Sequence, residues 1–321
     1  MSVSRDAVIW AFKFMLGRAP ESEEVILSHM AAADEVGLIE RLLRSSEFKN
    51  SSRYKGYFHK SAANVPPREM SVKPIIHGTS SPSLMEMKTI NIKELPRTCF
   101  RNESGALIEG TIRYRAQDES KLGNLTIGFH GGINPVTLEG VEINLLSIPN
   151  LFIDISHSGQ KIKFGERCTG RWVFHLWGRA DVCVGNDVTS NGMDVYLTDG
   201  STLNVGDDCM FANGYIHVTD NHALFDMKTG SLLNVRSNPI VDIGHHVWLA
   251  SRATIIGDAH IGAGSTIAAG AVVKGDVPPC SVAAGVPAKI VKRGVSWTRS
   301  DQGSGWEQVR DSLQAVSSAV S

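Results

Sequence analysis

The chain has 321 residues, 32 Lys and Arg against 33 Asp and Glu, a formal net charge of -1 and 42% hydrophobic residues. That length allows one large core or two or three units, and the near-neutral charge without long basic runs excludes the basic face that nucleic acid demands. Five cysteines (Cys99, Cys168, Cys183, Cys209, Cys280) without a CxxC pair point to a reduced, cytoplasmic setting, and "AVIWAFKFML", interrupted by Lys13, is too short for a membrane span and carries no signal-cleavage pattern.

Residues 1–50 are expected to form a small helical module. Val8, Phe12 and Met15 recur at helical spacing, "RAPESEE" supplies a Pro and an acidic first turn, and "LIERLLRSSEF" gives a second apolar stripe. With Leu16-Gly17-Arg18-Ala19-Pro20 and Ser46-Glu47-Phe48, this stretch resembles a helical module found in bacterial glycan-processing proteins. A bundle used only for packing or docking fits the same residues. Residues 51–95, rich in Pro, Ser and Gly, read as a connector. Residues 96–160 read as an irregular β region, open to early coils, acceptor contacts or a trimer collar.

A repeat follows. "FGERC" at 164, "VGNDV" at 184, "VGDDC" at 205, "IGHHV" at 243 and "IGAGS" at 261 share one pattern. From Ile243 the aliphatic positions fall every sixth residue: Leu249, Ile255, Ile261, Ile267 and Val273. Four residues after each stands a small or β-branched one: Val247, Ala253, Ala259, Ser265, Ala271 and Val277. A six-residue period matches neither a helix nor a flat strand; it fits a β-helix with three hexapeptides per coil. The aliphatic residue is expected inside, the small one at the corner, and the Gly where a tight corner conformation is needed. Cys168 and Cys209 share the corner position with Val188, Val247 and Ser265, so packing is their expected role. The fold class is mainly β: a left-handed parallel β-helix over 161–293, with an N-terminal helical module and a C-terminal tail and helix over 294–321. In that last stretch Trp306, Val309, Leu313 and Val316 form one stripe, expected to pack on the solenoid.

The spacing breaks once, between Val205 and Ile243. A solenoid accepts an insertion only at a corner, so a loop at about 217–238 is expected there, and loops of this length are commonly functional. With "DNHALFD" in the loop, "NPIVDIGHHVWLAS" re-entering the coil, "IAAGAVVKGDVPP" and "AAGVPAKIVKR", residues 220–292 resemble the hexapeptide-repeat acyltransferases that acetylate xenobiotics, galactosides and bacterial sugars. The resemblance implies acetyl transfer from acetyl-CoA, without a metal, in a homotrimer with sites between subunits. It implies a general base at His222, with Asp220 as a candidate to orient the imidazole; a sugar hydroxyl attacks a thioester only as a base removes its proton. The cofactor-binding positions it implies are Trp248, Ser251, Ala269 and Lys274, with Lys289, Lys292 and Arg293 as a basic end for nucleotide phosphates. His217 is expected buried or at a corner, and His245 and His246 at solvent-facing positions.

The function expected is therefore saccharide O-acetylation in surface-glycan (capsule, O-antigen or exopolysaccharide) biosynthesis. N-acetylation of an amino sugar is the alternative, since the same histidine would serve. His217-x4-His222 resembles the spacing of two zinc ligands in the γ-class carbonic anhydrases, but His175, the residue available as third ligand, is 42 residues before His217, about two coils away, and the long loop does not suit that family; a non-catalytic scaffold is the third reading.

Overall fold

The computed structural model describes residues 4, 5, 8, 9, 12, 20–31, 42, 86–101, 107–129, 137–218, 222–234 and 238–320. The chain divides into two units, 1–74 and 75–321.

In the first unit, the helix Glu23–Met30 begins at Ser22, whose hydroxyl accepts from the Val25 amide at 3.3 Å. Glu23 and Glu24 in the first turn suit the positive end of the helix dipole, and Glu23 binds the Arg5 guanidinium through both carboxylate oxygens. Val8, Phe12, Ile26 and Leu42 are buried. Met15 and the Ser46-Glu47-Phe48 motif lie outside the described residues.

The second unit is a left-handed parallel β-helix, and its strands build two sheets of eight and twelve strands. In the last coils three short strands per turn are distinct. Ile240–Ile243 pairs with Ala259–Ile261, Trp248–Leu249 with Thr266–Ile267, and Ala253–Ile256 with Val272–Val273, all in parallel. These are the three hexapeptide faces. Ile243, Leu249, Ile255, Ile261, Ile267 and Val273 are all buried, as are the residues four places after each.

Below the loop the coils are built differently. Thr169–Leu176, Thr189–Leu197 and Met210–His217 each run through a corner, with a register shift between Ser190 and Met193. The inward column Ile143, Ile162, Val182, Leu203, Val241 advances by 19, 20, 21 and then 38 residues, reaching 18 only at Ala259.

One expected boundary is displaced, and the β region 96–160, open to early coils, joins the stack. Residues 86–95 belong to the solenoid: Met87–Asn91 pairs antiparallel with Leu107–Arg115, and Ile92 and Leu95 enter its core. Nor does the stack begin at 161. Leu107–Arg115 pairs in parallel with Thr137–Leu145, and Leu125–Phe129 with Asn150–Ile155, so 107–155 are coils already. Lys289–Arg293 folds back antiparallel on Ser281–Ala284. The smaller sheet thus begins, and the larger sheet ends, in an antiparallel strand.

The motif glycines have another reason than the one expected. The left-handed corner residues are Arg167, Asp187, Asp208 and His246, with φ of 54°, 58°, 56° and 52°, followed by Gly264 at 72°. Each stands two places after its motif Gly. The motif Gly is required by close approach: a Cβ on Gly206 would lie 2.5 Å from the His245 nitrogen, and one on Gly244 2.7 Å from that of Ala263. Next to the left-handed column, Cys168, Val188, Cys209, Val247 and Ser265 form the buried corner ladder, in which the carbonyls of Val188, Cys209, Val247 and Ser265 accept the amide that follows the corner one coil below.

The C-terminal helix Trp306–Val320 turns its Leu313 side chain onto Gly264, where a Cβ would come within 2.8 Å of the leucine methyls. Trp306, expected on the packed stripe, is instead exposed, because the helix touches the solenoid further along.

Candidate active site

The interruption is a loop leaving the end of Met210–His217 and returning at Ile240. Val218 still belongs to the stack, its amide donating to the Tyr196 carbonyl at 2.9 Å. The described part of the loop is a small hairpin. Phe225 bridges Leu232 antiparallel, and the Leu233 amide donates to the Leu224 carbonyl. The Asp226 carboxylate closes the tip by accepting from the amides of Lys228 and Thr229 and from the Thr229 hydroxyl, and these bonds lower its pKa. Asn234 fastens the root: its Oδ1 accepts the Leu224 amide at 2.8 Å and its Nδ2 donates to the His222 carbonyl at 2.8 Å. His222 is thereby held by its backbone while its side chain is exposed. Asp220 lies outside the described residues. Leu224, Phe225, Leu233 and Met227 project from the hairpin, Met227 with 96% of its surface free.

The groove residues distribute over the last coils. Ser251 and Ala269 are exposed on one corner, one coil apart, where the Gly270 amide donates to the Ser251 carbonyl. Trp248 is half-buried and shares an outward column with Thr266, Val282 and Lys292, the last on the closing strand. Lys289 and Arg293 stand exposed on that same strand. Lys274 is exposed one place beyond Val273, in register with Ile256 and hence with His217 two coils below. The structure thus brings Ser251 with Ala269, sets Trp248 and Lys292 three strands apart on one column, and keeps the described contacts of His222 within its own loop.

Three histidines depart from expectation. His217, expected buried or at a corner six residues after Phe211, faces outward and is half-buried, because Ile216 takes the inward place. The corner-crossing strand spaces the inward Phe211 and Ile216 five residues apart, where their partners Leu249 and Ile255 on the next coil are six apart. His246 is only 3% exposed. Its left-handed backbone turns the ring under the chain that follows the solenoid. There Nδ1 bonds Asp208 at 2.7 Å, Nε2 bonds the Trp297 carbonyl at 2.8 Å, and the indole of Trp297 stacks on it. His245 is half-buried, and burial first, then neighbouring His246, lowers its pKa. Arg299 completes the cluster with bonds to Asp208, Thr189 and the carbonyls of Asp187 and Cys209.

Trp297 escaped the sequence reading, since the C-terminal segment has no period. So did an aromatic column on the outer face: Asp154, His175, Tyr196 and His217 are in register on successive strands. Their 21-residue interval is a signal that was present. Tyr196 separates His175 from His217, its ring 4.4 Å from the first and 4.9 Å from the second. The three-histidine zinc reading therefore lacks its geometry. Among the described residues, no cluster of three or more His, Cys, Asp or Glu is placed to hold a metal ion.

A parallel solenoid of hexapeptide faces, with a histidine-bearing loop between Val218 and Ile240, defines a class of transferase scaffold. The model of the family "Bacterial transferase hexapeptide (six repeats)" matches residues 241–275. The chain is 31% identical over 147 residues to the putative lipopolysaccharide biosynthesis O-acetyl transferase WbbJ of Escherichia coli K12, covering 41% of this chain and 71% of that one. It is also 31% identical over 122 residues to the polysialic acid O-acetyltransferase of E. coli O1:K1 / APEC, covering 38% of this chain and 39% of the relative. Against the galactoside O-acetyltransferase of E. coli K12 the figures are 31% over 121 residues, 37% and 57%. The crystal structure of the polySia-specific acetyltransferase NeuO overlays with a TM-score of 0.46 at 21% identity, covering 70% of this chain and 99% of that one. The chain belongs to the hexapeptide-repeat transferase family. Its matches to the polysialic acid and galactoside enzymes span less than two thirds of either.

Proposed function

We propose that the protein is an acetyl-CoA-dependent O-acetyltransferase acting on a saccharide hydroxyl, in the assembly of a bacterial surface glycan. The observation that carries this reading is the loop that leaves the stack between Val218 and Ile240 and exposes His222, immediately before the stretch 241–275 that matches the family's repeat. The names of the relatives, which include enzymes for polysialic acid, lipopolysaccharide and galactosides, favour a sugar acceptor.

The acyl donor is a substrate, and the chain offers it a coherent set of partners. Trp248 supplies an apolar wall for the pantetheine arm. The exposed corner of Ser251 and Ala269 offers backbone polar groups along the same coils. Lys274 flanks that groove, while Lys289, Lys292 and Arg293 present exposed positive charge for the nucleotide phosphates. His222 accepts the proton of the acceptor hydroxyl as its oxygen bonds the acyl carbon; the carbon–sulfur bond breaks and the thiolate leaves. Asp220, two residues away, is placed in sequence to orient that imidazole. The transfer needs no enzyme nucleophile.

One protomer presents both the loop and the groove at its surface, and the apolar hairpin of Leu224, Phe225 and Met227 lacks cover in the single chain. This supports a homotrimer in which each loop closes on a neighbour's groove. All five cysteines are free thiols, which suits the cytoplasm. Among the described residues, no helix is long and apolar enough to cross a membrane.

The test is a titration of purified protein with acetyl-CoA, followed by thiol release with a panel of glycans and activated sugars. Release that depends on a hydroxyl-bearing sugar, with the ester found on the product, supports the reading. Release seen only with amino sugars would shift it to N-acetylation, and no coenzyme binding would overturn it.

A further inference from the structure

We propose that the outer face of the larger sheet, between Asp154 and His217, is a track on which a glycan chain lies as it approaches the loop. The inference rests on the saccharide reading above and extends it from the reacting hydroxyl to the polymer behind it.

The register puts Asp154, His175, Tyr196 and His217 in a single outward column, one residue per coil. Their side chains form a continuous strip. His175 lies flat against Tyr196 with ring centroids 4.4 Å apart, Trp177 meets Tyr196 at 5.5 Å, and His217 meets it edge-on at 4.9 Å. In the next column Asp194 and Tyr215 pair across neighbouring strands, and Tyr215 is 47% exposed. Burial and then the Asp194 charge raise the pKa of Tyr196, so its phenol stays protonated as a donor.

A solvated strand face looks different, and this molecule shows one. The outward positions of the smaller sheet carry Glu142, Lys161 and Asp181 in register, a charged ladder. Asp154 closes the buried end of the strip, while the half-exposed rings of His175, Tyr196 and His217, with the Asp194 carboxylate and the Tyr215 hydroxyl beside them, match the surface of a sugar. Its C–H faces pack on π-systems, and its hydroxyls seek donors and acceptors. The column covers three interstrand steps of about 4.8 Å, so about 14 Å in all. That is longer than one pyranose ring and calls for a chain. It also has a direction: beyond His217 the backbone passes Val218 and enters the loop that bears His222.

The experiment is an array of defined galacto-, sialo-, manno- and N-acetylglucosamine oligosaccharides, one to six units long, probed with the labelled full-length protein and with Tyr196→Ala and Tyr215→Ala. Oligomeric mass is measured by light scattering in parallel. The track predicts that one oligosaccharide series binds more tightly with length, and that each variant loses roughly tenfold in affinity for the longer members at unchanged mass. Equal binding by wild type and variants, or no glycan binding by the wild type, overturns it. So does a change of oligomeric mass in both variants, which would make the strip a contact between copies of this chain. Length-dependent binding that persists without any acetyl transfer leaves the track standing and removes the transferase reading instead.

Discussion

The imidazole of His246 lies flat on the indole of Trp297, with ring centroids 4.2 Å apart and planes 9° from parallel. The contact is reciprocal: the His246 Nε2 bonds the Trp297 carbonyl at 2.8 Å, and the Trp297 Nε1 donates to the His246 carbonyl at 2.9 Å. Trp297→Ala removes the stack and the donor and leaves a buried ring uncovered, so it should cost about 3–5 kcal/mol. Urea unfolding of the full chain measures this. A loss below about 1 kcal/mol would show that the segment does not hold the solenoid.

Asp208 anchors the same cluster. Burial pulls its pKa up, but the hydrogen bonds from His246 and Arg299 outweigh that and leave it lowered from the ordinary 3.8. A carboxyl lowered in the folded state contributes stability above its unfolded value and loses it as pH falls through the folded one. The stability gap between wild type and Asp208→Asn should therefore be full above about pH 5 and close as the pH drops below about 4. Thermal unfolding of both proteins across that range reads the gap, and a gap that widens toward acid would refute the assignment.

His222→Ala should reduce turnover by roughly 10²- to 10⁴-fold while leaving coenzyme affinity intact. Isothermal titration beside thiol-release kinetics separates the two effects. Equal loss of binding and turnover would assign His222 a place in the groove wall instead of the proton transfer.

Asn234→Ala cuts both ties at the loop root, to the Leu224 amide and the His222 carbonyl. The hairpin lies outside the stack, so unfolding of the solenoid should not change. The catalytic rate should fall roughly 10- to 100-fold through misplacement of the imidazole. Restoration by Asn234→Asp, which keeps the acceptor alone, should be incomplete.

Thiol labelling distinguishes the corner cysteines from the surface one. Burial raises the Cys209 thiol to about 12, and its sulfur approaches the Gly244 carbonyl at 3.2 Å, whereas Cys183 is exposed. Near pH 8 a maleimide reagent should modify Cys183 in the native protein and reach Cys209 only on unfolding. Peptide mapping by mass spectrometry decides it.

The regular coils were legible because a residue at every sixth place obeys one steric rule, from Ile243 to Val273. The older coils hid for a physical reason. Strands such as Thr189–Leu197 run through a corner with a register shift, which stretches the turn and spoils the count. The motif glycines were seen, but their cause was misassigned: close contact with the next coil reads the same in a sequence as a left-handed turn. His222 stands out as a candidate because it lies in a loop that breaks a period. Trp297 could not, because its partner is 51 residues away and no local pattern joins them.

A linear stack touches only its neighbours and can come apart from one end, a coil at a time. Arg299 changes that topology, since its guanidinium reaches Asp187, Thr189 and Cys209, positions 90 to 112 residues earlier in the chain. The tail is thus stapled to coils that precede the loop. Fraying from the carboxyl end must first break that clasp, so the coils proposed to grip the acyl donor should open together with those below the loop as one cooperative block.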